Sequence, residues 1–485
     1  MEVSRRQFVN SALLLALLGP LKGCKERVVG ICPFGDQYSD PSSRLVIDVH
    51  AHIFNATDLQ IKDFANLVAT RDMGGLGKVA RLLTGPLQKF TWATAPSVAE
   101  ELAELEKIRP YIENCDESQI TTSLLALRDQ KYEQGQSEIE GAARRQMSEV
   151  AISPRDLDGP VGALSSELSD FRRLTELPSS YDQLFTPELS APTGSPLPDS
   201  SPAAVTFRSA IKFIVEMLQY RYVSIYNYLN TYNRDSGPKI DLMLPAMVDY
   251  DWWLSKGAPT KSSLPDQAAL MKEIAILTGG RVHALVPFDP FRQVVSDMNR
   301  DAGFSPIDLV ETAVTKYGAI GVKLYSPMGF APYGNQAVGE ANPDFWKRGW
   351  LADIAESPDF GEKLDNAMAK LFTFCGENGV PIMGHSNQSN GPAEDFEALT
   401  GPDYWETAAN EFPDALLSFG HFGGAGSQTA DGSSPIEGFL GLLADDQTAG
   451  KQRLAADASY FSNVIDDPDR LRNVMKRIFE YGADD

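Results

Sequence analysis

Short, nearly continuous apolar runs recur along the chain, separated by longer stretches of helical periodicity. The first run opens at Leu45 in SRLVIDVHAH, and the second is IDLMLPAMVD from Ile240 to Asp249. RVHALVPFDP from Arg281, GAIGVKLYS from Gly318, VPIMGHS from Val380, ALLSFGHFGG from Ala415 and RLAADASYF from Arg453 continue the series. Between them lie the helical patterns DQAALMKEIAILTG, PIDLVETAVTKYG and EKLDNAMAKLFTFCGENG. Apolar strands without polar alternation are those covered on both faces, so their alternation with helices predicts an α/β protein with a parallel sheet. Seven strands are predicted, and the final helical pattern, DPDRLRNVMKRIFEYGADD, occupies the place after which a closed barrel requires an eighth. The expected fold is a TIM-like (β/α) barrel lacking its eighth strand in this chain, read as a C-terminally incomplete copy. An open doubly wound sheet is the alternative.

The first two strands are separated by residues 55–239, far more than a crossover needs, so this stretch must hold structure of its own. VAEELAELEKI and IEGAARRQMSEV have the pattern of solvated amphipathic helices, and VTFRSAIKFIVEMLQYRYVSIYNYLN that of one long helix with an apolar aromatic stripe. A Pro- and Ser-rich segment over 178–202 reads as a loop. The insertion is expected to form a helical cap over the barrel mouth. No internal repeat is evident.

Length and composition, 485 residues with 43% hydrophobic and 22% charged, are those of a large globular chain. A formal net charge of -23 opposes nucleic acid as a partner. The N-terminus differs from the rest: Arg5 and Arg6 precede the apolar run SALLLALLGPL, and LKGC ends at Cys24. Residues 1–24 are similar to a twin-arginine export signal with a lipobox. The expected location is exported, periplasmic or membrane-anchored on the outer side, with a lipid anchor at Cys24. Residues 25–44 form a polar lead-in, and 45–485 the barrel. The four cysteines, Cys24, Cys32, Cys115 and Cys375, show no metal-binding spacing, and Cys375 reads as a small buried residue.

Histidine occurs five times, and four of the five end predicted strands. His50 and His52 are two apart, so the strand period sends both imidazoles to one face. His385 ends VPIMGHS and His421 ends the strand in ALLSFGHFGG. In a barrel, residues at these ends share one mouth, and neutral imidazole is a common ligand of zinc and other divalent metals. His283, within RVHALVPF, reads as a core or strand residue.

VIDVHAHIF, GVKLYSPMGF, the His385 strand end and SFGHFGG resemble, in that order, the amidohydrolase superfamily. They are most similar to its amidohydrolase-related branch, which includes the aminocarboxymuconate-semialdehyde decarboxylases. The resemblance covers Leu45 to about Ser462 discontinuously, without the insertion. It implies that His50, His52 and His385 bind a divalent metal, usually zinc, while His421 acts as acid, base or transition-state stabiliser. The aspartate that such proteins carry on strand eight has no counterpart here. Asp457, ending the seventh strand, is expected either to approach the mouth or to hydrogen-bond nearby backbone, and the missing ligand role is not carried over to it. Lys323 is assigned to substrate or charge balance, with a structural ion pair as the alternative. Asp48, on the face of His50, is expected to orient a ligand, and Tyr325 and Asp289 are weaker candidates at the mouth. The implied activity is metal-dependent hydrolysis of an amide, lactone or related small-molecule carbonyl compound. A non-oxidative decarboxylase and a non-catalytic exported binding protein are the alternatives.

Overall fold

A computed structural model describes residues 46–53, 55–69, 71, 85, 87–149, 179–184, 213–232, 240–389, 391–424, 435–457, 459, 472 and 476. The expected export signal, Cys24, the lead-in over 25–44 and most of the 178–202 loop lie outside the described residues. So does the final helical pattern, apart from Arg472 and Lys476, both helical.

All seven predicted strands are present: β1 Ile47–Ala51, β2 Leu242–Pro245, β3 Leu285–Pro287, β4 Gly321–Leu324, β5 Ile382–His385, β6 Leu417–Gly420 and β7 Leu454–Ala456. Every ladder is parallel. β1 pairs with β2, and β3 through β7 form a five-stranded sheet in chain order. The bridges Met243–Val282 and Ala246–Leu285 join the two sheets, so the strands follow one another without a change of order.

Helices fill the connections. α1 Val98–Glu113, α2 Glu117–Glu149 and α3 Arg221–Tyr232 lie in the insertion. α4 Leu264–Leu277 links β2 to β3, and α5 Pro290–Asp297 with α6 Pro306–Lys316 link β3 to β4. α7 Phe360–Asn378, α8 Pro402–Glu411 and α9 Pro435–Thr448 follow β4, β5 and β6. Side-chain caps set several starts: Ser97, Ser263 and Ser305 each accept a backbone N–H of the first turn of α1, α4 and α6. The single long helix expected over 205–230 is instead broken at Leu218–Tyr220. The Glu101 carboxylate accepts the backbone N–H of Arg221 at 2.8 Å and so starts α3 anew.

The sheet is covered on both faces. Phe291, Phe360, Phe372, Trp405, Phe419 and Phe439 pack in the main core with the helices. Leu244, Ala246, Leu285 and Met383 form a smaller, separate cluster. Seven strands laid flat would put β1 and β7 about 29 Å apart. Yet His50 at the end of β1 hydrogen-bonds Asp457, just past β7, at 3.0 Å. The parallel sheet therefore curls on itself, with the small apolar cluster inside and the strand ends converging above it. Among the described residues no strand joins β7 to β1.

Candidate metal centre

Four of the five histidines meet where the strands converge. The ring centroids of His50 and His421 lie 4.4 Å apart, those of His385 and His421 4.4 Å, and those of His50 and His52 5.5 Å. Gly420 makes the first approach possible, since a Cβ there would lie 2.8 Å from His50 Cε1 and from the Gly384 carbonyl. β6 then ends in a left-handed turn in which His421 (φ 69°) and Phe422 (φ 43°) join Gly423 and Gly424 at positive φ. Two non-glycine residues in that region carry a conformational cost that the surrounding packing sustains. The turn aims the His421 ring across the mouth at His385.

Hydrogen bonds orient each ring. His52 Nδ1 meets the Ala246 carbonyl at 3.0 Å, and His50 Nδ1 meets Asp457 Oδ2 at 3.0 Å. His421 Nε2 lies 3.2 Å from His385 Nδ1, and Ser389 Oγ contacts His385 Nε2. Ser459 Oγ sits 2.9 Å from both His50 Nδ1 and His421 Nδ1 and also contacts Asp457 Oδ1. Asp457 Oδ1 accepts the backbone N–H of His421 at 3.2 Å and of Ser459 at 3.0 Å. Its bonds to nearby backbone are as expected from sequence; its bond to His50 adds a link between β1 and β7.

Lys323, on β4 and buried, places Nζ 2.9 Å from His50 Nε2. It makes no ion pair among the described residues, so the structural alternative finds no partner there. Burial pulls its pKa down to about 7. Burial is also the first cause lowering the pKa of all four imidazoles, followed for His421 by the charges of His50 and Lys323. His421 falls to about 3. His52 opens to solvent, yet protein packed about its ring moves it the same way. Burial alone would raise Asp457, but its bonds to His50, Ser459 and the His421 N–H hold it below the usual carboxylate range. Four neutral imidazoles beside an ionised carboxylate result.

This donor chemistry fits a divalent ion of the zinc type. His50, His421 and Asp457 each offer one atom, all within 4.8 Å of one another. His52 and His385, expected with His50, surround that trio rather than complete it. Asp457 already accepts four hydrogen bonds, which suits an orienting carboxylate behind His50 better than a ligand. Lys323 competes with any ion for the same His50 lone pair.

The other candidates are dispersed. Asp48 accepts the His50 backbone N–H at 3.2 Å and the Tyr228 hydroxyl, so it ties β1 to α3 and does not orient an imidazole. The Tyr325 ring packs 4.5 Å from His385 and 5.1 Å from Tyr250, forming one wall of the mouth. Asp289 caps α5 and binds Trp253 Nε1 at 2.7 Å, apart from the histidines. His283 lies before β3, with Nδ1 2.8 Å from the Gly318 carbonyl. Ser389 and Ser459 were not foreseen; the only signal for Ser459 is its place two residues beyond Asp457. No family model, curated protein or solved structure matches this chain.

Proposed function

We propose that the chain is a metal-dependent hydrolase of an amide, lactone or related small-molecule carbonyl compound. Its sheet is then the greater part of a TIM-like barrel of the amidohydrolase type. The observation that carries the reading is the convergence of His50, His52, His385 and His421 with Asp457 and Lys323 at the ends of parallel strands. The resemblance assigns the ion to His50, His52 and His385, with Asp457 behind His50, while the donor atoms gathered within 4.8 Å are those of His50, His421 and Asp457. A divalent ion bound there supplies Lewis-acid activation of water and of a carbonyl.

The chain's own residues do the rest. His421, neutral and oriented by Ser459, takes a proton from the attacking water and delivers it to the leaving group. Lys323, when protonated, places positive charge where negative charge develops on the carbonyl oxygen. The Tyr325 ring, tilted 53° against His385, presents an aromatic wall against which a small substrate packs. Cys115 is disulfide-bonded, which supports an oxidising compartment and hence export.

Zinc-loaded protein incubated with lactones and amides in ¹⁸O-labelled water tests this reading. Products should gain one labelled oxygen. Release of carbon dioxide without water uptake would point to decarboxylation, and zinc binding without turnover across both substrate classes to a binding protein.

A further inference from the structure

The hydrogen bonds around Asp457 settle where the protons of the histidine cluster sit. A carbonyl or carboxylate oxygen only accepts, so each ring nitrogen facing one must donate. His50 Nδ1 faces Asp457 Oδ2 at 3.0 Å, His52 Nδ1 faces the Ala246 carbonyl at 3.0 Å, and His421 Nδ1 faces the Ser459 carbonyl at 3.4 Å. All three neutral rings therefore carry hydrogen on Nδ1, and Nε2 keeps the lone pair. His385 follows by elimination. Its Nδ1 faces the unprotonated Nε2 of His421 at 3.2 Å and must donate to it, which leaves its own Nε2 to accept from the Ser389 hydroxyl.

Ser459 Oγ receives the Nδ1–H of His421 at 2.9 Å and shares the Nδ1–H of His50, also at 2.9 Å, with Asp457 Oδ2. Its one hydrogen is then directed to Asp457 Oδ1, an oxygen that two backbone N–H groups already mark as an acceptor. One unbroken sequence of donors results: Ser389 to His385, His385 to His421, His421 to Ser459, Ser459 to Asp457.

We propose that Ser459, anchored by Asp457, is a positioning residue that fixes His421 as its Nδ1–H tautomer and, through His421, fixes His385 in the same form. Every imidazole of the cluster then keeps its lone pair on Nε2, and at His50, His421 and His385 an ion or a substrate proton takes that lone pair in place of Lys323, His385 and Ser389. The tautomers follow from hydrogen bonding alone, whereas their use in ligation and proton transfer rests on the hydrolase reading.

Long-range ¹H–¹⁵N correlation spectra of histidine-labelled, metal-free full-length chain at neutral pH test the assignment. His385 and His421 should show Nδ1 in the protonated, pyrrole-type range and Nε2 in the pyridine-type range. Ser459→Ala removes the 2.9 Å hydroxyl and leaves the longer 3.4 Å contact with the backbone carbonyl, so His421 Nδ1 should move toward the pyridine-type range as the two tautomers mix, and Ser459→Thr, which keeps the hydroxyl, should restore the wild-type pattern. An Nε2–H pattern for His421 in the wild type would overturn the proposal, as would a folded Ser459→Ala protein with unchanged His421 signals. Adding zinc separates the two readings: expected tautomers whose Nε2 signals ignore zinc would leave this inference standing and remove the metal.

Discussion

Asp457 accepts four hydrogen bonds, His50 Nδ1–H on Oδ2 and two backbone N–H groups with the Ser459 hydroxyl on Oδ1. Its charge is spent on holding the cluster in place, as carboxylates behind metal-bound histidines commonly do. Asp457→Asn keeps the shape but turns part of that acceptor set into donors, so His50 loses its anchor. Zinc affinity, measured by competition with a chromophoric chelator, should fall about 10- to 100-fold. Unchanged affinity in a folded Asp457→Asn protein would mean that Asp457 does not support the site.

At the scale of elements, β6 and the turn after it do most to shape the mouth. Gly420 lets the His50 ring lie against the strand, and a methyl group there would meet His50 Cε1 and the Gly384 carbonyl, each at 2.8 Å. Gly420→Ala is expected to cost about 1–3 kcal/mol of stability and to displace His50. Bound zinc should drop more than the thermal midpoint does; a variant that keeps full zinc content would place His50 elsewhere in the functional site. Much of this architecture was legible in the sequence. Parallel strands covered on both faces must be short apolar runs, and each of the seven runs holds a strand. The runs overstate length, however: Ile240–Asp249 contains only Leu242–Pro245 as β2. The break before α3 was hidden because a buried carboxylate 120 residues away imposes it, and periodicity carries no trace of such a partner. The histidines stood out through their scarcity, whereas serine is too common for Ser389 or Ser459 to announce itself.

Across the whole molecule, two features govern stability. The insertion is pinned by Arg221, buried between the carboxylates of Asp58 and Glu101, which ties the segment after β1 to α1 and α3. Arg221→Met leaves two buried carboxylates without their cation and should destabilise the chain by about 3–5 kcal/mol in urea unfolding. A loss under about 1 kcal/mol would show that the pairing is not needed to hold the insertion. The second feature is pH. Burial, then His50 and Lys323, lowers His421 from 6.5 to about 3. Between those values the unfolded chain binds a proton that the folded chain refuses, so stability is lost as pH falls and regained as it rises. The unfolding free energy of the metal-free protein, read from urea titrations, should therefore climb from pH 4.5 to 7, by up to about 1.4 kcal/mol per pH unit for each such histidine. A flat or falling profile would mean that the cluster is already protonated in the folded state. Whether these strand ends form a metal centre is decided by metal analysis of the purified full-length chain beside His50→Ala/His52→Ala. About one zinc-type ion per wild-type chain is expected, lost in the double variant. A wild-type chain that is folded by circular dichroism yet binds no added zinc, or a double variant with undiminished metal, would contradict it.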